Sequence, residues 1–221
     1  MRGFRSLLVL AIAVVATTLT GTLTAAASPS TVAGTASAGS AHVVRNGHTF
    51  AVPAVGPCGL TGSAHGSSQG VTEFGIVTYG PASSTCSTDQ TAHTSKVVAN
   101  GTGVTVSALQ SYGGPQIKIA GYQVSCSATT GGTNAAWQFS GLTGITVPQQ
   151  IPNNYTVPVK STNGSLLANV VLNEVILPNP NDGSITLNMM HVVLFPNGTP
   201  TGMIPMSGDI YVGSTACSPT V

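Results

Sequence analysis

Short apolar runs and turn chemistry alternate along the chain from His42 onward, and no window there keeps the i, i+3, i+4 spacing of an amphipathic helix. His42-Val43-Val44 and Thr49-Phe50-Ala51-Val52 are strand-like and separated by Asn46-Gly47, a dipeptide suited to the positive φ angles of a tight hairpin. Pro53 and Pro57 interrupt the chain before Cys58, and the Gly/Ser-rich stretch from Cys58 to Gly70 reads as a loop. Val71 to Tyr79 reads as one strand, stopped by Gly80-Pro81. Cys86 to Thr94 is polar, and Val97-Val98-Ala99 runs into Asn100-Gly101, which reads as another turn. Val104, Val106 and Ala108 alternate with Thr105 and Ser107, the period of a half-buried strand. Ile117, Ile119, Tyr122, Val124 and Cys126 continue that logic with one slip at Gly121, which predicts a β-bulge. Trp137 and Phe139 fall on one side of a following run, and Pro158 marks Tyr155 to Val159 as an edge-type strand. The pattern predicts an all-β, single-domain antiparallel β-sandwich or barrel-like fold of about ten short strands.

The segment from Leu166 to Cys217 organises the rest. Three apolar, β-branched runs are separated by turn chemistry, including Asp182-Gly183, and they carry three of the five carboxylates together with His191.

The N-terminal segment follows a different rule. Arg2 and Arg5 precede an apolar run from Leu7 to Ala16, and Ala25-Ala26-Ala27 offers the small residues a signal peptidase reads. The run is shorter than the ~20 residues a membrane span needs, so residues 1–27 are expected to be a cleaved signal peptide. Residues 28–41 are Ser, Thr, Ala and Gly with one proline and read as a flexible lead-in, leaving 42–221 as the all-β domain.

Charge then narrows the partners. Only 5% of residues are charged, against about 25% in an average soluble domain. There is no basic patch to neutralise phosphates, which argues against nucleic acid, and no polybasic cluster to hold anionic lipid. No second apolar segment reaches membrane length and the chain ends in Ser-Pro-Thr-Val. The expectation is a secreted, extracellular protein with no membrane insertion after signal cleavage. The four cysteines match no zinc spacing and, in an exported chain, read as two disulfides. Three connectivities are possible. Cys58–Cys86 and Cys126–Cys217 are preferred because each joins the ends of candidate neighbouring strands.

Leu172-Asn173-Glu174, then Gly183-Ser184-Ile185-Thr186-Leu187-Asn188 leading to His191-Val192, then Gly208-Asp209-Ile210 and Val212-Gly213-Ser214 resemble the actinobacterial exported proteins called the choice-of-anchor P family. Met189-Met190 stand where that family has a small residue before the histidine. The likeness covers the last third specifically. It implies a shared secreted domain whose members carry different surface anchors or none, and it implies no activity. This chain looks like an unanchored version.

Glu174, His191 and Asp209 lie on successive strands and are the candidate chemical cluster, as a divalent-metal site or as a base and its orienter. The alternative is a structural histidine whose ring nitrogens bond Asn173, Asn188 or a backbone carbonyl. No serine sits in a G-x-S-x-G elbow, and five acids leave little for a two-carboxylate glycosidase. Trp137 with Tyr79, Tyr112, Tyr122, Tyr155 and Tyr211 could line a sugar-binding face, although a single Trp among apolar residues is more often core. Asn100, Asn154, Asn163 and Asn197 open Asn-x-Ser/Thr sequons that would carry glycans only in a eukaryotic secretory path.

No catalytic residue and no cofactor is assigned from sequence. The leading reading is a non-enzymatic extracellular or cell-envelope structural or interaction protein, partnered by the envelope or by its own copies. A hydrolase or metal-dependent protein built on His191, and a carbohydrate-binding module, are the alternatives.

Overall fold

The computed structural model of the protein describes residues 34–220, so the expected signal segment, 1–27, lies outside the described residues. The chain passes through β1 (Thr35–Arg45), β2 (His48–Val52), β3 (Cys58–Gly59), β4 (His65–Ser68), β5 (Val71–Glu73), β6 (Val77–Tyr79), β7 (Ala82–Asp89) and β8 (Thr94–Val106). A single 3-10 turn at Gln110–Tyr112 leads to β9 (Ile117–Thr129), β10 (Gly132–Ser140), β11 (Tyr155–Lys160), β12 (Leu166–Ile176), β13 (Ile185–Leu194) and β14 (Met206–Cys217). These fourteen strands form two antiparallel sheets packed face to face, the sandwich expected from the pattern with more strands than the ten expected. Sheet A has the order β11-β12-β13-β14-β1-β2, with β3 extending beside β1; sheet B has the order β10-β9-β8-β6-β5, with β7 and β4 also on the β8 side.

The extra strands come from polar stretches that lack apolar alternation and are ordered by pairing. His65–Ser68 pairs with β7 inside the expected Cys58–Gly70 loop, and the expected single strand Val71–Tyr79 folds into the short β5–β6 hairpin. The flexible lead-in is corrected too: its residues from Thr35 onward belong to β1, which pairs with β14 along its whole length and stands inside sheet A. Its small side chains, which look unable to build a core, are what that position needs. Ala36 and Ala38 are buried beneath sheet B, and a Cβ on Gly39 would fall 2.3 Å from the Tyr79 ring. Asn100-Gly101 is likewise no turn. β8 runs straight through it, and Gly101 is needed because a Cβ there would lie 2.3 Å from the Tyr122 hydroxyl.

The core fills the space between the sheets. Leu167, Val170, Leu172, Met190, Val192, Ile210 and Val212 of sheet A meet Val97, Ile117, Ile119 and Val124 of sheet B, all fully buried. Each such side chain stabilises the fold by about 1.5–3 kcal/mol relative to exposure. Two tyrosines cross the gap. Tyr79 Oη donates to the carbonyls of Ser40 (2.7 Å) and Tyr211 (2.8 Å), and Tyr122 Oη donates to that of Ala38 (2.5 Å). Burial pushes both phenols well above the usual tyrosine range. Cys58–Cys86 joins β3 to β7 and Cys126–Cys217 joins β9 to β14, so both disulfides bind one sheet to the other. Among the described residues no helix is long and apolar enough to cross a membrane.

One irregularity positions the candidate cluster. In sheet A the ladder passes from Ser37↔Ser214 to Gly39↔Val212, from Asn188↔Ser214 to Met190↔Val212, and from Glu174↔Asn188 to Leu172↔Met190. Ala38, Gly213, Met189 and Asn173 are thus left on one unpaired line across four strands, with no shift of register. Asn173 (φ 53°) and Gly213 (φ 63°) take the left-handed conformation there. The freed groups find other partners: Asn154 N–H donates to the Asn173 carbonyl (2.8 Å), and Tyr122 serves Ala38 from the opposite sheet. Inward positions are Leu187, Met190 and Val192 on β13 but Val212 and Thr215 on β14, so the pleat changes phase at this line. Sheet B repeats the device. Its ladder skips Gly103 (φ 66°) opposite Ala120, so the slip expected at Gly121 occurs in both strands together instead of as a two-against-one bulge.

Candidate functional site

A continuous pleat puts residues two apart on the same face. Asn188 and His191 are three apart, yet the phase change brings both to the outer face of sheet A. Asn188 lies opposite Glu174 and Ser214, and His191 lies opposite Val171 and Tyr211. Glu174 approaches the imidazole from β12 and Asp209 from β14, along the strand from opposite ends of the ring. His191 Nδ1 is 2.9 Å from Glu174 Oε1, and Nε2 is 2.8 Å from Asp209 Oδ1. In the doubly protonated ring both nitrogens donate, one to each carboxylate. Tyr211 stacks on the imidazole at 4.2 Å between centroids and 20° between planes.

The network extends one rung further. Asn188 Nδ2 donates to Glu174 Oε2 at 2.6 Å, and Ser214 Oγ donates to Asn188 Oδ1 at 2.6 Å. The chain Ser214–Asn188–Glu174–His191–Asp209 therefore spans three strands. His191 and Glu174 retain 12% and 17% side-chain exposure and Asp209 42%, so only the Asp209 end meets solvent freely. The two carboxylates and the cost of burying the phenol raise the Tyr211 pKa, burial first.

The three residues singled out from sequence are thus brought together, with the His191 ring between the two carboxylates. A metal centre needs donors converging on one point. Here the carboxylates sit on opposite sides of the ring and consume its two nitrogens. Among the described residues no group of three or more His, Cys, Asp or Glu is arranged to hold a metal ion. The structural alternative is corrected in detail as well, since the ring bonds the two carboxylates and Asn188 bonds Glu174. Tyr211 and Ser214 escaped the sequence reading as members of the cluster, Asn188 was read only as a partner of the ring, and the signal for them was Asn173 and Gly213. Each of these tolerates the left-handed conformation, and they flank Met189 at matching depths on neighbouring strands.

Three of the aromatic residues considered for a sugar-binding face are turned into the core. Tyr79, Tyr112 and Tyr122 are buried, and Tyr112 Oη donates to the Ile204 carbonyl at 2.8 Å. Trp137 is half-buried, stacked on Phe139 at 5.5 Å and packed against the core from the edge strand β10.

A second concavity lies on the outer face of the other sheet. A groove of about 720 Å³ opens over the outer side of sheet B between β4 and β10, beside the phase change at Gly103 and Ala120. Its floor is a single cross-strand row. Ser67 pairs with Ser83, Ser83 with Asn100, Asn100 with Gln123 and Gln123 with Gln138. The amides are linked: Gln138 Nε2 donates to Gln123 Oε1 (3.3 Å) and Gln123 Nε2 to Asn100 Oδ1 (2.7 Å). The sequence reading missed this row because it took Asn100-Gly101 as a turn. Gln123, standing between the inward Tyr122 and Val124, was the available signal.

No family model, no curated protein and no solved structure matches the chain.

Proposed function

We propose that the protein is a secreted, non-enzymatic binding protein of the extracellular space or cell envelope. The observation that carries this reading is the saturation of the Glu174–His191–Asp209 cluster, which has catalytic residue types. An imidazole held by a carboxylate at each nitrogen has no free position for a substrate proton. Two intersheet disulfides suit an oxidising compartment, and the resemblance to the choice-of-anchor P family supports an exported actinobacterial protein. The low charge suits a surface that binds neutral material or its own copies. β10 is an edge strand of nine residues carrying neither lysine nor proline, the devices that usually block lateral pairing.

The experiment is retention of the purified protein on purified actinobacterial cell walls, with sedimentation velocity over a hundredfold concentration range. Saturable wall binding or concentration-dependent assembly is the expected result. A strictly monomeric protein that washes through cell walls would overturn the reading. His191→Gln is the companion variant. The expected outcome is a lower melting temperature with metal content and wall binding unchanged.

A further inference from the structure

We propose that the groove on the outer face of sheet B binds an uncharged oligosaccharide, held by the row Ser67, Ser83, Asn100, Gln123 and Gln138. This rests on the reading of the protein as an extracellular binding protein and names its ligand class.

The chemistry of the floor excludes the charged alternatives. Every side chain of the row is a hydroxyl or an amide, and no acidic or basic residue lines the groove. The one ionisable group there, the Tyr122 phenol, is turned into the core toward Ala38. Phosphates and acidic polymers are recognised by cations, which the groove lacks. A peptide bound by strand addition runs along an open sheet edge, whereas this floor runs across the strands, and its middle members Ser83, Asn100 and Gln123 stand on strands paired on both sides.

What the row offers is neutral hydrogen-bonding capacity in a fixed order. The Gln138–Gln123–Asn100 chain orients three amides in one direction. Asn100 is left with its Nδ2 donors to offer and Gln138 with its Oε1 acceptor, and the Ser67 and Ser83 hydroxyls have no side-chain partner among the described residues. Sugar hydroxyls donate and accept in the same way. Strands lie ~4.8 Å apart, so the row spans roughly 20 Å and presents a rung about once per sugar ring. Pro81 at the groove's rim adds apolar surface for the C–H face of a ring. Because the amides hold one another, less side-chain freedom is lost on binding.

The test is calorimetric titration of the whole protein with neutral hexasaccharides of glucose, of mannose and of N-acetylglucosamine. A polyuronate and an uncharged Ser/Gln-rich decapeptide serve as controls. Saturable binding of at least one hexasaccharide is expected. Gln123→Ala should weaken it about tenfold, the loss of one well-placed hydrogen-bonding group, with the melting temperature unchanged. His191→Gln, on the opposite sheet, should leave binding intact. No saturable binding of any hexasaccharide, preference for the decapeptide or polyuronate, or full affinity in both Gln123→Ala and Asn100→Ala would each overturn the proposal. The outcomes separate it from the broader reading. Wall retention that survives both groove variants keeps the binding protein and removes this site. Hexasaccharide binding without wall retention keeps the site and removes the envelope role.

Discussion

The two outer faces of the sandwich use the same backbone device for opposite ends. On sheet A a phase change across four strands gathers Glu174, Asn188, His191 and Asp209, which satisfy one another. On sheet B a phase change at Gly103 and Ala120 lies beside a row of amides and hydroxyls whose outer valences stay open. The first cluster has the residue types of an active site, and the second has the unspent capacity of a binding site. Residue type alone would rank them the other way round. What separates them is whether each donor and acceptor already has a partner.

The largest effect tests the frame both faces share. Replacing both Cys126 and Cys217 by serine frees a chain loop spanning a sequence separation of 91 and should cost about 4.5 kcal/mol in the chain-entropy account. The Cys58–Cys86 pair closes a separation of 28 and should cost about 3.5 kcal/mol. Denaturant titration of the two double variants measures both. Equal losses would show that loop length is not what decides.

The faces themselves are compared by one variant on each. Glu174→Ala leaves His191 Nδ1 and Asn188 Nδ2 without their acceptor and should cost about 2 kcal/mol. Gln123→Ala removes an exposed-face amide and should stay within about 0.5 kcal/mol. A Gln123→Ala loss as large as that of Glu174→Ala would mean that the amide row is structural and would dissolve the contrast.

The tyrosines between the faces add a pH signature. Tyr79→Phe leaves the Ser40 and Tyr211 carbonyls without that donor and should cost about 1–2 kcal/mol. Burial raises both the Tyr79 and Tyr122 pKa above the unfolded value of about 10, so the unfolded chain ionises first. Their contribution is complete below about pH 10 and is lost as pH rises further, at about 1.4 kcal/mol per pH unit for each tyrosine. Alkaline melting curves should show this slope, and Tyr79→Phe should lower it. The last effect has the opposite sign. Thr215 is 1% exposed and its hydroxyl has no partner among the described residues, so Thr215→Val should stabilise by about 1 kcal/mol and raise the melting temperature by a few degrees.

Legibility in the sequence followed the strength of the local pattern. The β1–β2 hairpin, the alternation of β9 and of the end of β8 from Val104, and the proline-bearing edge strand β11 could all be read. In each, side chains alternate against one buried face or a turn residue has a conformational preference. β1 before His42 could not, because Ala, Ser and Gly carry no periodic contrast and owe their order to the strands and tyrosines around them. The candidate cluster was half legible. Glu174, His191 and Asp209 were visible as residues on successive strands. Their common face depended on the slip at Met189, which a period-two reading cannot place.

By itself the sequence determined the class of the molecule. Apolar alternation, turn dipeptides and the scarcity of charge allow only an all-β chain with polar, nearly neutral faces. Only the tertiary structure decided which polar groups are consumed and which remain available. That depends on register and on the unpaired lines crossing each sheet, and those arise from contacts between strands far apart in the chain. A left-handed Asn173 is a local preference, whereas its alignment with Met189, Gly213 and Ala38 is a property of the assembled sheet.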